Sequence, residues 1–366
     1  MKKQIILATL ISSFSLLLFM SCEDDNDNDL LSPEEAKTEI RNTDESIATH
    51  INDMQNSKAV LTMEFFSELV NERQIDLKSF AEATIKKTPK QFFTKPGYFS
   101  SSLIKSHKAD DIDPTEDTGI YEYDFDKNEF VLIENYVDYL KFIFPADQEA
   151  FNKEENNAEL RIDEFIVIKD NDDEIPIKII LKLTVDEEKL VSLDYNMQLG
   201  ERYHMPVSGS AELVMPPYNI EVALSGTEPD FESSMNWSID NTTLANYYLE
   251  LTVDLEKETP ELIDGNMQFV PIKFDGNVHA LNIEEHIEDA ENGNGDIDID
   301  YLNEQLDIEV IHTDYNQVIG HLNFSVVFEE DEPVLLITIV YQDDSWEYIN
   351  EAMPEIAAII GWNNND

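Results

Sequence analysis

Apolar and charged residues alternate along several segments of this chain. In residues 121–124 tyrosines alternate with acidic residues, and in residues 247–255 every odd position is apolar. Successive side chains of a β-strand point to opposite faces of its sheet, so this period of two predicts strands with one buried and one solvated face. Residues 119–366 are therefore predicted to form a β-rich domain with a large antiparallel sheet, in which the apolar segment 175–185 is a central strand.

The residues that precede this domain favour helices. Ser32, Pro33 and Glu35 have the types and spacing of an N-cap, a first helical residue and a capping box. Beyond them, apolar residues recur at intervals of three, four or seven and so share one helix face. The residues of this face are Ala36, Ile40, Thr43, Ile47, Ile51, Met54, Leu61, Phe65 and Leu69. We predict a long helix over about residues 33–72, packed on the sheet, with a break near residues 56–58.

A second, shorter helix is predicted before Pro89, because apolar residues within 77–85 keep helical spacing and proline does not continue a helix. Residues 32–108 are therefore predicted to be a helical region. The polar, proline-containing residues 109–118 are predicted to be a linker into the β-rich domain. A short apolar helix over about residues 347–360 is predicted to end the chain.

Two parts of the β-rich domain resemble each other. Residues 181–189, LKLTVDEEK, align with residues 249–257, LELTVDLEK, and residues 196–199 align with residues 266–269 after a two-residue insertion. We interpret them as a duplicated hairpin in one sheet, although amphipathic hairpins also converge on similar sequences. The predicted fold class is α+β: a long N-terminal helix and a second helix, then a large antiparallel β-sheet with the duplicated hairpin, and a short C-terminal helix.

The chain is strongly acidic. It holds 24 lysines and arginines against 78 aspartates and glutamates, which gives a net charge of −54. Such a field repels nucleic acid and anionic lipid headgroups and attracts cations. The 42% of hydrophobic residues nevertheless supply enough material for a core, which excludes the class of disordered acidic chains.

One stretch reverses this charge. Residues 73–108 hold eight bases and only two acids. Two interpretations stay open: the stretch packs against the acidic remainder of the chain and relieves its repulsion, or it is a docking surface for an anionic glycan. Its aromatic residues would contribute to such a surface, and they are Phe92, Phe93, Tyr98 and Phe99.

The first residues have the pattern of an export signal. Lys2 and Lys3 precede an apolar run over residues 5–19 that is short for a membrane span, and the small residue Ser21 precedes Cys22. Residues 1–21 are therefore predicted to be a signal peptide. Cys22 is the only cysteine in the sequence, so it has no disulfide partner within the chain.

Residues 18–22, LFMSC, resemble the lipobox of bacterial lipoproteins, in which the signal is cut before the cysteine and that cysteine carries the lipid. The acidic run 23–29 is similar to the tether of surface-exposed Bacteroidota lipoproteins. This resemblance implies lipidation of Cys22, an acidic tether over residues 22–31, and display on the outer face of the outer membrane. The membrane is then a partner through the lipid, because each buried methylene of an anchor adds about 0.8 kcal/mol.

Catalytic motifs are nearly absent from the sequence. Ser102 and Lys105 fit the pattern S-x-x-K, but the companion motifs of that class of hydrolase are missing. The histidines lack the spacing of zinc ligands. His279 and His286 are one heptad apart, but the sequence between them does not predict a helix. We therefore predict a protein without enzymatic activity and without an organic cofactor.

Calcium is the one ligand that the acidic composition of the chain favours. Residues 124–135 begin like an EF-hand loop but lack the glycine and the final glutamate that this loop needs. Asp296, Asp298 and Asp300 alternate with isoleucines, so on a strand they would share one face at spacings of about 7 Å. The three aspartates are candidate ligands of a weak calcium site, and a solvated strand face is the alternative.

These observations predict a binding or scaffold lipoprotein without enzymatic activity, anchored through Cys22, with a protein or glycan as its partner. One alternative is a carrier that shelters a hydrophobic ligand between the helix and a curved sheet. A hydrolase of surface glycans is the other. The carrier needs an apolar cavity, whereas the hydrolase needs a cleft with two opposed carboxylates.

Overall fold

The structure of this protein, a computed structural model, describes residues 30–70, 117–170, 173–200, 206–257, 259–292, 297–329 and 332–360. The helices in these residues are α1 (Pro33–Gln55), α2 (Lys58–Leu69), α3 (Gln148–Asn152), α4 (Ala280–Glu291), α5 (Ile299–Glu304), α6 (Ile349–Ala352) and α7 (Pro354–Ile360). The strands are β1 (Gly119–Asp124), β2 (Glu129–Glu134), β3 (Leu140–Phe144), β4 (Ala158–Asp170), β5 (Asp173–Val185), β6 (Glu188–Leu199), β7 (Pro206–Met215), β8 (Tyr218–Thr227), β9 (Asp230–Ile239), β10 (Thr242–Asp254), β11 (Thr259–Phe269), β12 (Ile272–Val278), β13 (Leu306–His312), β14 (Gln317–Glu329), β15 (Glu332–Tyr341) and β16 (Trp346–Tyr348).

Within the described ranges the strands form one sheet, in the order β16-β15-β14-β13-β12-β11-β10-β9-β8-β7-β6-β5-β4-β3-β1-β2. Strands β1 and β3 are parallel. The pairs from β3 to β7 and from β10 to β16 are antiparallel. The predicted α+β class is confirmed, and the large sheet that was predicted to be antiparallel is mostly so, with β1 and β3 as a parallel pair. The apolar strand β5 is paired on both sides.

The chain divides into two compact units. The early-strand unit holds the described residues within His50–Ala223 and Trp237–Thr242, and it includes β1 to β7. The late-strand unit holds the described residues within Met1–Thr49, Leu224–Asn236 and Thr243–Asp366, and it includes β11 to β16.

The start and the break of the predicted N-terminal helix are both confirmed. The Ser32 N–H donates to Glu35 Oε2 at 2.8 Å, and the Glu35 N–H donates back to Ser32 Oγ, which is the reciprocal pattern of a capping box. Helix α1 ends at Gln55, and Ser57 caps α2 by accepting a hydrogen bond from the Val60 N–H. A capping side chain at that point satisfies donors that a new helix start leaves open.

The buried face of α2 is not the predicted one. Leu61, which the spacing places on the buried face, is 51% exposed. The buried residues of this helix are Ala59, Val60, Thr62, Met63 and Phe66. Because α2 restarts at its own cap, its rotation is independent of α1, and a spacing counted from α1 does not carry across the break.

Aromatic rings fill the core beneath α2 in the early-strand unit. Phe66 is fully buried, and its ring centroid lies 4.6 Å from that of Phe144, 5.5 Å from that of Phe142 and 5.8 Å from that of Phe130. Phe142 and Phe144 are two positions apart on β3, so they project from the same face. The space between α2 and its strands is therefore packed with rings.

Both copies of the repeated sequence are hairpins, as predicted. The β5–β6 turn consists of Asp186 and Glu187, which both have positive φ (52° and 68°), the conformation that a two-residue turn between twisted strands needs. The β10–β11 connection is longer, and the Asp254 carboxylate accepts hydrogen bonds from the N–H groups of Glu256 and Lys257. The insertion that separates the two sequence copies falls at this turn.

The end of the chain differs from the prediction. A single helix was expected over about residues 347–360, but β16 ends at Tyr348, and α6 and α7 follow with Met353 between them. Pro354 has no N–H group with which to continue α6, and it occupies the first position of α7 instead. Met353 and Ile356 are fully buried in the late-strand unit.

Helix α4 is not predicted by the sequence, and the expectation that no helix joins His279 to His286 is wrong. Ala280 and Ile283 are buried, and α4 packs on β11. Like charges one turn apart weaken an isolated helix, and α4 carries Glu284, Glu285, Glu288, Asp289 and Glu291. Packing of the apolar first turn therefore decides the conformation here.

Candidate functional site

A cleft of about 580 Å³ lies on β8, β9, β10 and β11, within the late-strand unit. Four of the residues that line it are carboxylates, namely Asp230, Glu232, Glu250 and Asp264, and none is a lysine or an arginine. The remaining lining residues are Ser225, Gly226, Thr227, Phe231, Leu251, Thr252 and Leu262. We call this site the acidic cleft.

The pairing of β10 with β11 places two of these carboxylates side by side. Glu250 lies directly opposite Asp264. Opposed residues of an antiparallel pair have Cβ atoms about 4.5–5.5 Å apart, and like charges at that distance repel. The pKa of Asp264 is raised, first by burial and then by the charges of Glu250 and Asp275. A cation bound between the two carboxylates would relieve this repulsion.

Hydroxyl groups donate hydrogen bonds to two of the carboxylates. Thr252 Oγ1 donates a hydrogen bond to Asp230 Oδ1 at 3.0 Å. The Tyr248 hydroxyl donates to Glu250 Oε1 at 3.3 Å. Burial, together with the charges of Glu232 and Glu250, raises the pKa of Tyr248 to about 12. The phenol is therefore protonated at neutral pH and stays a hydrogen-bond donor beside the acidic cleft.

Gly226 permits the close approach of β8 and β9 at the edge of the cleft. A Cβ atom at this position would lie 2.4 Å from the backbone oxygen of Asp230 and 2.7 Å from the Phe231 Cα. Both are backbone atoms, so no side-chain rotation makes room for a larger residue. Glycine is thus required here by the approach of a neighbouring strand.

The two described bases of this part of the chain are engaged elsewhere. Only three lysines or arginines follow residue 189, and they are Arg202, Lys257 and Lys273. Lys257 forms an ion pair with Glu285, and Lys273 forms one with Asp275. Arg202 lies outside the described residues. Among the described residues, the lining of the acidic cleft contains no lysine or arginine.

This arrangement suits an organic cation. Carboxylates accept charge-assisted hydrogen bonds from ammonium and guanidinium groups, and such bonds are about twice as strong as neutral ones. The hydroxyls of Ser225 and Thr227 add further polar contacts along the lining. Among the described residues, no group of three or more histidine, cysteine, aspartate or glutamate side chains is placed to hold a metal ion.

The aspartates of the predicted calcium site do not share a strand face. Asp298 is the N-cap of α5, and its carboxylate accepts a hydrogen bond from the Tyr301 N–H, while Asp300 lies in the first helical turn. The expected strand is therefore wrong, because the capping preference of aspartate decides the backbone here. Asp296 lies outside the described residues, and calcium binding by the three aspartates stays a prediction.

The residues that begin like an EF-hand loop form the turn between β1 and β2. The Asp124 carboxylate accepts hydrogen bonds from the N–H groups of Asp126 and Lys127. Its side chain also forms an ion pair with Lys127, and this partner is the first cause of its lowered pKa. Asp124 therefore has a structural role in the hairpin.

Several predictions lie outside the described residues. These are the signal peptide 1–21, Cys22 with the acidic part of its tether, the second helix before Pro89, the basic stretch 73–108 and most of the linker 109–118. The S-x-x-K pair, Ser102 and Lys105, lies there as well. These predictions stay open.

The two alternative functions are also still predictions. A carrier needs open apolar space between a helix and the sheet, and beneath α2 that space is occupied by Phe66 and the rings around it. A hydrolase needs two carboxylates on either side of a bond, whereas Glu250 and Asp264 lie side by side on neighbouring strands.

Sequence reasoning did not single out the acidic cleft. The alternation in residues 247–255 places Glu250 on a solvated face, but acidic residues occupy that face in most strands of this chain. Only the register of β10 with β11 makes Asp264 its neighbour. The small residues Ser225, Gly226 and Thr227 just before a turn were the one local signal of a close strand approach.

Comparisons with known protein families, with curated proteins and with solved structures find no match to this chain. Among the described residues, no helix has both the length and the apolar character needed to cross a membrane.

Proposed function

We propose that this protein is a surface-displayed lipoprotein without enzymatic activity, anchored in the outer membrane through a lipid on Cys22, and that it binds a cationic partner in the acidic cleft. The observation that carries the binding role is the convergence of Asp230, Glu232, Glu250 and Asp264 in one cleft whose lining has no base. A basic side chain of a partner protein, or a small amine, has the matching charge and donors.

A pair of neutral substitutions tests the acidic cleft. The double variant Glu250→Gln with Asp264→Asn keeps the shape of the cleft and removes two charges. The probe is trilysine, measured by titration calorimetry, with fully acetylated trilysine as the uncharged comparison. Loss of two charge-assisted contacts should weaken binding by about tenfold or more.

The matched control is Asp307→Asn with Glu309→Gln. It removes the same number of charges from β13, and the strand registers place Asp307 in line with Asp264 across β12. Binding should stay within about twofold of the parent protein. Equal weakening by both double variants would show that trilysine responds only to the general negative field, and the cleft would lose its role.

The pH dependence gives a second test of the same site. Because the pKa of Asp264 is raised above that of an ordinary aspartate, this carboxylate takes up its proton at a higher pH than an ordinary aspartate does. Affinity for trilysine should therefore begin to decrease on acidification before ordinary aspartates are protonated. The Asp264→Asn variant should lack that first decrease, and an unchanged pH profile would contradict the role of Asp264.

The anchoring is tested separately. Replacing Cys22 by alanine should abolish metabolic labelling with lipid and leave an unprocessed or soluble protein. Mass spectrometry that finds an unmodified Cys22 in the membrane-bound mature protein would refute the lipid anchor. Binding of trilysine to the soluble form should persist, because the acidic cleft is distant in sequence from Cys22.

Surface display is tested with the tether. Replacing the acidic residues Glu23, Asp24, Asp25 and Asp27 by alanine should preserve lipidation and reduce digestion of the protein by protease added to intact cells. Unchanged digestion would remove the export role of the acidic tether.

A further inference from the structure

Strand β2 lies at one end of the sheet order and, among the described residues, pairs with β1 alone. In an antiparallel pair, alternate residues direct their N–H and C=O groups away from the partner strand. Half of the backbone groups of β2 therefore face outward along this edge. Such an edge is a template on which a further strand can add.

Apolar side chains accompany these backbone groups. Leu132 is 44% exposed, Ile133 is 54% exposed and Tyr136, just beyond the strand, is 93% exposed. Ile133 has no partner in β1, because the register shifts between the pairs Ile120–Glu134 and Tyr121–Leu132. The edge thus presents a run of apolar residues without a lysine or a proline in β2, and the irregularity at Ile133 leaves residues 129–132 as its regularly paired part.

The opposite end of the sheet is protected in a way that β2 is not. There, β16 contains only three residues and continues directly into α6. Its middle residue, Glu347, is engaged by Arg41, whose Nη2 lies 2.6 Å from Glu347 Oε1. A short edge strand with an engaged side chain offers little room for an additional strand. The open character of β2 is therefore not a general feature of this sheet.

The charges at the two ends of β2 indicate the kind of partner. Glu129 and Glu134 stand at the two ends of β2. Antiparallel pairing of β2 with β2 of a second copy, over the whole strand, would place Glu129 opposite Glu134 at both ends, and like charges in that position are destabilising. Two chains of net charge −54 also repel each other at longer range. A segment with a lysine or arginine at each end would place a positive charge near each glutamate.

We propose that β2 is the docking strand for an extended segment of another protein, which carries apolar residues at alternate positions and a lysine or arginine at each end. The added strand bonds to the outward backbone groups of β2, and its apolar side chains cover Leu132 and Ile133. The flanking bases pair with Glu129 and Glu134. This surface belongs to the early-strand unit, and the proposal does not depend on the acidic cleft.

The test uses the full mature chain and a labelled peptide of about seven residues, with valine and threonine alternating between two terminal lysines. Fluorescence anisotropy measures binding, and amide hydrogen exchange follows residues 131–134. We expect saturable binding together with slower exchange of the outward amides of β2. A peptide with glutamate at both ends should bind about tenfold or more weakly. A peptide methylated on alternate backbone nitrogens should not compete.

Two matched substitutions locate the site. Ile133→Lys places a positive charge on the edge and should weaken binding by about tenfold or more. Ile166→Lys changes an isoleucine of similar exposure, 48%, on β4, where Ile166 pairs with Lys178 of β5 and lies beyond the residues that pair with β3. It should leave binding within about twofold. The Glu250→Gln, Asp264→Asn variant should also leave it unchanged, which separates this site from the acidic cleft.

Four results would overturn the proposal. The first is absence of binding, and the second is equal binding of the methylated peptide, which would show that the backbone edge is not used. The third is slow exchange of the outward β2 amides in the free protein, which would show that the chain itself, for example residues 73–108, covers the edge. The fourth is a dimer that Ile133→Lys dissociates, which would make a second copy the occupant.

Discussion

Helices α1 and α2 both cover strands with an apolar face, but different interactions fix them. In the early-strand unit, α2 inserts Phe66 among Phe130, Phe142 and Phe144, and its ion pair between Lys58 and Asp186 is exposed to solvent. In the late-strand unit, α1 buries Ile40 and Ile47 and adds hydrogen bonds to distant parts of the chain.

The polar contacts of α1 are specific. Asp44 accepts hydrogen bonds from the N–H of Ile356 at 2.8 Å and, more weakly, from that of Glu355 at 3.4 Å, at the start of α7. Just before α1, the Gln317 amide accepts from the Leu31 N–H at 2.8 Å and donates to the Leu31 carbonyl at 3.0 Å. These bonds fix which residues of α1 meet β14 and α7.

The docking of α2 and the docking of α1 therefore respond to different conditions. An aromatic layer carries no charge, so its contribution to stability should change little with pH or salt, but removing one ring leaves a cavity. A hydrogen-bonded carboxylate contributes less, and its contribution changes with its own protonation.

Phe66→Ala should cause the largest loss of stability. Truncating a fully buried phenylalanine typically costs about 3–5 kcal/mol, because apolar burial is lost and a cavity remains. The measurement is the free energy of unfolding in urea. The control is Phe65→Ala, which removes a half-buried ring whose centroid lies 6.3 Å from that of Phe151. This variant should lose clearly less free energy of unfolding. Equal costs would contradict the rotation of α2 described here.

Asp44→Ala should cost about 1–3 kcal/mol in the same urea titration, because the N–H of Ile356 loses its acceptor within a buried interface. Asp44→Asn keeps one side-chain oxygen as an acceptor and should cost less than the alanine variant. If Asp44→Ala lowers the free energy of unfolding as much as Phe66→Ala does, polar contacts stabilise the docking of α1 as strongly as ring packing stabilises that of α2.

The effect of Asp44 should also depend on pH. Burial, as the first cause, raises its pKa in the folded protein, although the backbone N–H groups of Ile356 and Glu355 oppose this. The stabilisation that comes from the raised pKa is complete below the unfolded value of about 4 and is lost as the pH rises through the folded pKa. The stability of the parent protein relative to Asp44→Asn should therefore decrease from pH 4 towards neutrality. A constant difference would exclude a raised pKa.

Arg41→Gln should have the smallest effect. Its ion pair with Glu347 is about half exposed on the arginine side, and exposed pairs contribute about 0–1 kcal/mol. The loss should become undetectable at about 1 M salt, where the screening length falls to about 3 Å. A loss that persists at high salt would show that Arg41 contributes through packing of its side chain.

Local chemistry allowed parts of this fold to be predicted correctly. The capping box at Ser32 and the break before Lys58 depend on residues within one or two turns of each other. The period of two identified the strand faces for the same reason. The prediction of the buried face failed at Leu61, where a new helix start reset the rotation.

Other elements depend on partners that lie far away in the chain. Helix α4 forms because Ala280 and Ile283 are buried where it packs on β11. Its acidic sequence does not predict this packing. The acidic cleft exists because strand pairing brings Glu250 opposite Asp264, and the sequence offers many equivalent glutamates. The alternation around Asp298 favoured a strand, whereas this residue caps α5.

Side-chain periodicity, capping and composition act over a few residues. They set the alternation of strand faces, the start and break of the N-terminal helix, the strong negative charge and the features that predict export and lipidation at Cys22. Which strands lie at the edges and which carboxylates share a cleft became clear only from the folded chain. Strand order and register arise from contacts between residues far apart in the chain, and no local pattern encodes them.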